Sequence, residues 1–149
     1  MTDEIESISE TEVTLGGKDT SAEIKLAVAA LLVGMMHSDD EVNDQEFQAV
    51  LTTLELEFSL DSQQAGTLLK LAELEIINTN DYRRFIDSVN QYFTYNEKLK
   101  LIELLWRIAY SDKQLHRDEA NFARDISAQL AVNQNDSDDC RNHIRDEFI

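Results

Sequence analysis

The chain spells one corner twice. "HSDDEVNDQE", His37 to Glu46, and "YSDKQLHRDE", Tyr110 to Glu119, start 73 residues apart in a chain of 149. Each has a ring-bearing residue, then Ser-Asp, an apolar residue three after the Asp and a Glu seven after it. A shift of 73 sets Leu31 on Leu104, Leu32 on Leu105, Ser38 on Ser111, Asp39 on Asp112 and Glu46 on Glu119. Met36 falls on Ala109, Val42 on Leu115 and Val33 on Trp106. A densely apolar run precedes each corner, "LAVAALLVGMM" in the first copy and "LIELLWRIAY" in the second. A helix that is apolar on every side is buried on every side, so both runs read as central helices. Two copies are too few for a solenoid. They predict a duplicated helix-turn-helix unit with pseudo-twofold packing.

The remaining segments fit the same class. The first helix runs from Ile24 to Met36, behind a cap at Thr20 or Ser21. A second runs from about Asp44 to Glu57, with Phe47, Val50, Leu51 and Leu54 at inward spacing. Asp61 caps a third that carries Ala65, Leu68, Leu69, Ala72 and Ile76 and ends near Asn78. A fourth spans Asp81 to Phe93, and its Phe85, Tyr92 and Phe93, like Trp106, read as core. The fifth covers about Asn96 to Ser111 and the sixth Arg117 to about Leu130. After a turn written "AVNQNDSDD", a short last helix covers Asp138 to Phe148. No segment alternates with period two. With no Pro and only four Gly, hairpin punctuation is scarce. The expected fold is all-α, with about seven helices in a compact bundle. Residues 1–20 carry six acids, one base and Gly16-Gly17, and read as an acidic disordered tail before a domain at 21–149.

Charge narrows the partners. A formal net charge of -17 repels nucleic-acid phosphates and anionic lipid head groups. It either keeps the protein soluble or draws metal ions and basic protein surfaces. A single Cys, Cys140, permits no intrachain disulfide. The N-terminal residues lack the apolar run of a secretion signal, and the longest apolar stretch is too short to span a bilayer. The reading is a cytoplasmic protein without direct membrane insertion.

The corners admit two accounts. Asn43 and Glu46 have capping-box spacing, as do His116 and Glu119. Asp40, Asp44 and Asp118 suit a helix N-terminus. Val42 and Leu115 would plug the core. Asp39 and Asp112 resist this account, because they sit at the C-terminal end of a helix, where the dipole disfavours anions. Each needs a compensating partner, either a backbone N–H across the turn or a cation. Hard divalent ions take oxygen ligands, and "DDEVNDQE" supplies five acids in eight residues. The loop is not an EF-hand: with Asp39 as position one, Asp44 stands where Gly is required and Val50 where Glu is required. Ser38 and Ser111 are free to hold the helix end or to face an ion.

Catalytic patterns are missing. Ser, His and Asp lack a spacing that suits nucleophilic catalysis. Gly34 and Gly66 stand alone inside helices and form no phosphate loop. Three His and one Cys are a thin supply for a zinc site. The expectation is a protein that is not an enzyme, with a metal-dependent hydrolase as the remote alternative.

An apolar helix, Ser-Asp-x-x-apolar-x-x-x-Glu and an amphipathic helix, repeated at this distance, resemble the TerB-like family. The family includes the tellurite-resistance protein TerB and the N-terminal region of the membrane-anchored co-chaperone DjlA. The likeness covers about Ser21 to Glu147. It implies an all-helical bacterial domain with two pseudosymmetric acidic turns that bind a divalent metal or a partner. Carried over residue by residue, the site would be Asp39, Glu46, Asp112 and Glu119. Family members usually have Gly after the Asp, where this chain has Asp40 and Lys113, and Lys113 weakens the second turn as a metal site. With no J-domain signature and no membrane anchor, the chain reads as a stand-alone member. The resemblance implies a helical interaction module with a protein partner, an optional Ca, Mg or Zn ion, and a role in tellurite, metal or envelope stress. The alternative is a dedicated divalent-metal binding or sensing protein.

Overall fold

A computed structural model describes Leu15 and residues 21–38, 43–79, 81–112 and 115–148. These form seven helices and no strand: α1 (Ala22–Met36), α2 (Asp44–Phe58), α3 (Ser62–Thr79), α4 (Arg83–Tyr92), α5 (Tyr95–Ala109), α6 (Arg117–Gln129) and α7 (Gln134–Phe148).

Local chemistry sets the helix starts. Ser21 Oγ accepts the Ile24 N–H at 3.3 Å. Asp61 and Gln64 exchange backbone and side-chain bonds at 2.8 and 3.0 Å. Thr94 and Glu97 do the same at 3.2 and 2.8 Å. Each reciprocal pair satisfies two N–H groups that the first turn leaves orphaned.

α1 is the axis of the molecule. Ile24 and every residue from Ala27 to Met36 are buried, and α1 packs on α2, α3, α4, α5 and α6. α5 is the second pillar. It contacts α1, α2, α6 and α7 and buries Trp106 completely. The contact pattern recurs, with α1, α2 and α3 in mutual contact and α5, α6 and α7 likewise. α4 is the insertion between them, packed on α1. α1 and α5 have bounds offset by 73 residues, and α2 and α6 begin at the same offset. Both second helices end on a left-handed residue, Ser59 (φ 54°) and Ala131 (φ 58°). In each case the next N–H reaches back five residues, Leu60 to Glu55 at 3.0 Å and Val132 to Ser127 at 2.9 Å. That is the bond pattern of a Schellman cap.

Three expectations require correction. Phe47 is exposed, because Glu46 takes the inward position and sets the α2 face as Glu46, Val50, Thr53, Leu54, Glu57 and Phe58. Tyr92 is exposed at the last turn of α4. The final helix starts at Gln134 instead of Asp138. Asn133 opens it, with Oδ1 accepting the Asn135 N–H at 2.7 Å. Ser137 anchors its first turns through a buried 2.8 Å bond to Ser127, a partner that no local pattern reveals.

The 1–20 tail lies outside the described residues except for Leu15. Leu15 is buried, and its N–H donates to Glu57 Oε1 at 3.2 Å.

Candidate functional site

The two corners close in the same way. At the first, the N–H of His37 reaches Val33 O at 2.9 Å and that of Ser38 reaches Met35 O at 3.2 Å. At the second, Tyr110 reaches Trp106 O at 3.0 Å and Ser111 reaches Ile108 O at 3.2 Å. Ser38 Oγ and Ser111 Oγ donate to the same two carbonyls, Met35 and Ile108, both at 2.7 Å. Both hydroxyls therefore satisfy helix-end acceptors.

The following helices both begin on contacts of the capping-box kind. Asn43 Oδ1 accepts the Glu46 N–H at 2.8 Å. Glu119 Oε1 accepts the His116 N–H at 3.1 Å. Both glutamates are fully buried, so the carboxylates at the repeated Glu position lie inside the domain. Leu115 packs against the core, while Val42 lies outside the described residues.

The corners also meet each other. Asn43 Nδ2 donates to Asp112 Oδ2 at 2.8 Å across 69 residues of chain. The same oxygen stands 3.9 Å from His116 Nε2. Asp112 thus gains a compensating partner from the other copy. Asn43 caps α2 with its oxygen and bridges to the second corner with its nitrogen. Its two-ended amide is what a bridging cap requires.

Of the four proposed ligands, Glu46, Asp112 and Glu119 are described, and Asp39 lies outside the described residues. Among the described residues, no group of three or more His, Cys, Asp and Glu is arranged to hold a metal ion.

The other polar side chains have structural duties. His37 Nε2 and Glu73 Oε2 lie 3.1 Å apart. His143 lies 4.0 Å from Glu103. Cys140 is half-buried, its Sγ 3.7 Å from Leu99 O. Burial, with Glu103, Asp136 and Asp139 around it, pushes its thiol up to about 12. Glu57 is a second perturbed acid. Desolvation raises its carboxyl above the usual value, opposed by Lys100, the Leu15 N–H and Arg107.

The family model described as tellurite resistance protein TerB matches residues 25–142. The chain belongs to the TerB family. The match runs from the first turn of α1 into α7, so the TerB unit includes both corners, both central pillars and the inserted α4. No curated protein and no solved structure matches this TerB chain. Among the described residues, no helix is long and apolar enough to cross a membrane.

Proposed function

We propose that the chain is a non-enzymatic helical interaction module acting in the response to tellurite, other metals or envelope stress. It binds a protein partner and takes a divalent cation, Ca, Mg or Zn, at the paired corners. The stress context rests on TerB family membership. The bond from Asn43 to Asp112 carries the mechanistic part, because it joins two corners 69 residues apart. A ligand that competes for Asp112 Oδ2 acts on both copies at once. Its effect on packing is limited to its differential affinity for the joined and separated corners.

Asp39, Glu46, Asp112 and Glu119 are the ligands assigned to the cation. All four offer carboxylate oxygen, the donor that hard divalent ions prefer. The described residues alone do not complete such a site, so the assignment depends on Asp39. Side-chain chemistry supports a role without catalysis. The Cys140 thiol is a poor nucleophile at neutral pH, and His37 and His143 sit beside glutamates at the surface.

One observation favours a dedicated metal-binding or sensing protein as the second reading. Glu46 and Glu119 are buried at equivalent positions of the two corners, and carboxylate oxygens are the donors that hard divalent ions take.

Calorimetric and NMR titration of the metal-free protein with Ca²⁺, Mg²⁺ and Zn²⁺ separates the readings. The Asp39→Ala, Asp112→Ala double variant serves as the control. An interaction module stays folded without metal and binds an ion with shifts confined to the corners and lost in the variant. Shifts that spread through α1 and α5 would favour the sensor. No saturable binding would remove the cation from both.

A further inference from the structure

Leu15 ties the N-terminal part of the chain to the core. It is buried, and its N–H donates to Glu57 Oε1 at 3.2 Å. That N–H belongs to the peptide unit shared with residue 14, so the preceding chain leaves from beside Glu57. A groove of about 450 Å³ between α2 and α5 opens at this place. Thr53, one turn before Glu57, and Leu56, its neighbour, both line it. Arg107 of α5 lines it as well, and its charge acts on the Glu57 carboxylate. From Leu56, beside the Leu15 anchor, the groove follows α2 back to Gln45.

The α2 wall of the groove consists of uncharged residues: Gln45, Gln48, Ala49, Thr52, Thr53 and Leu56. Leu56 is 70% exposed. Residues 9–15 read "SETEVTL". Hydropathy does not alternate there, but charge does. Ser9, Thr11, Val13 and Leu15 are uncharged, and the acids Glu10 and Glu12 fall between them. In an extended chain alternate residues share one face, and the face that contains the buried Leu15 is the uncharged one. Its side chains recur every ~6.6 Å. Leu56, Thr52 and Gln48 recur every four residues of helix, ~6 Å apart. We propose that residues 9–14 lie extended in the groove between α2 and α5, parallel to α2. Val13 packs on Leu56, Thr11 and Ser9 bond to Thr52, Gln48 and Gln45, and Glu10 and Glu12 face solvent.

Reach and tethering select this occupant. Gln45 to Leu56 is about 17 Å of helix, and six extended residues span about 20 Å. The segment is tied down at Leu15, at the mouth of the groove, which puts its effective concentration there at about the millimolar level. The same segment of a second copy, or any other peptide, has to exceed that concentration to displace it. Charge attraction is not required. Arg107 is already paired with Glu147 at 2.9 Å, and the acids of the segment point away from the groove. The segment covers Leu56 and closes a surface that a partner must first uncover. Asp39, Glu46, Asp112 and Glu119 take no part, so this proposal and cation binding stand or fall separately.

NMR of the isotope-labelled full chain tests it. The Val13 methyl groups should show NOEs to Leu56 and Thr52, and Thr11 should show them to Gln48. Val13→Glu should abolish these contacts and shift the Thr52 and Leu56 amide signals. Thr14→Glu adds the same charge one residue along, on the solvent side, and should leave contacts and shifts as in the parent. Leu56→Gln changes an exposed side chain, so the fold is kept, and the Val13 contacts should be lost from the groove side. A mixture of labelled and unlabelled chain, read through an isotope filter, tells contacts within one chain from contacts between two. A parent chain without NOEs from residues 9–14 to α2 would overturn the proposal. So would equal losses in Val13→Glu and Thr14→Glu, unchanged contacts in Leu56→Gln, or contacts found only between chains.

Discussion

Glu57 is a residue whose ionisation works against the fold. It is buried on α2, within 4.0 Å of Lys100 and bonded to the Leu15 N–H. Desolvation outweighs these partners and raises its folded pKa above the usual carboxylate value. At low pH the group is protonated in both states. As pH climbs, the unfolded chain ionises first and the folded chain loses relative stability until its own pKa is passed. Glu57→Gln removes this titration and keeps an oxygen for Leu15. The stability of the wild type relative to Glu57→Gln should therefore fall as pH rises above about 4, read by urea unfolding at each pH. A difference independent of pH would show that Lys100 and Leu15 fully offset the desolvation.

At the level of the helix, the two helical glycines have opposite meanings. α1 needs Gly34, because Tyr82 and Phe122 lie edge to face over it with centroids 5.4 Å apart. Gly34→Ala should destabilise the fold by about 1–3 kcal/mol through overpacking, measured by chemical denaturation. Gly66→Ala fills open space and should instead add about 1 kcal/mol of helix propensity to the fold. Both glycines look alike in sequence, as lone residues in apolar helices, because what a Cβ would strike is a long-range fact. The same divide explains what the sequence made legible. The central helices, the 73-residue offset and the caps at Asn43 and Asp61 are local patterns, and all are found in the structure. The start of α7 was hidden because its anchor is a serine ten residues away on another helix. The exposure of Phe47 was hidden because hydropathy reads Glu46 as a surface residue. At the corners, sequence located both acidic turns and supplied only a local donor or an ion as partners for Asp112. Asn43 was recognised as a cap, and its second bond depends on how the copies pack.

For the whole molecule, charge and packing pull against each other. The net charge of -17 is carried by a chain whose helices share one core, so self-repulsion opposes folding as a whole. Salt screens such repulsion, with a Debye length near 30 Å at about 0.01 M and about 8 Å at 0.15 M. Adding NaCl across that range should raise the melting temperature. Relief of about 1 kcal/mol corresponds to roughly 2–4 °C for a chain near this size, which scanning calorimetry resolves. A midpoint that falls with salt would mean that the pairs of Arg107 with Glu147 and Arg84 with Glu75 outweigh the excess of acid.

Cys140 gives the molecule a timer. The thiol lies on α7, against the carbonyl of Leu99 on α5, and its pKa is pushed up to about 12. Thiol reagents and oxidants attack the thiolate, so the folded chain offers them almost nothing to react with at neutral pH. An alkylating reagent must wait until α7 lifts from α5 and the sulfur regains an ordinary acidity. The speed of its modification then measures how often the second copy opens, from a single atom and without an added label.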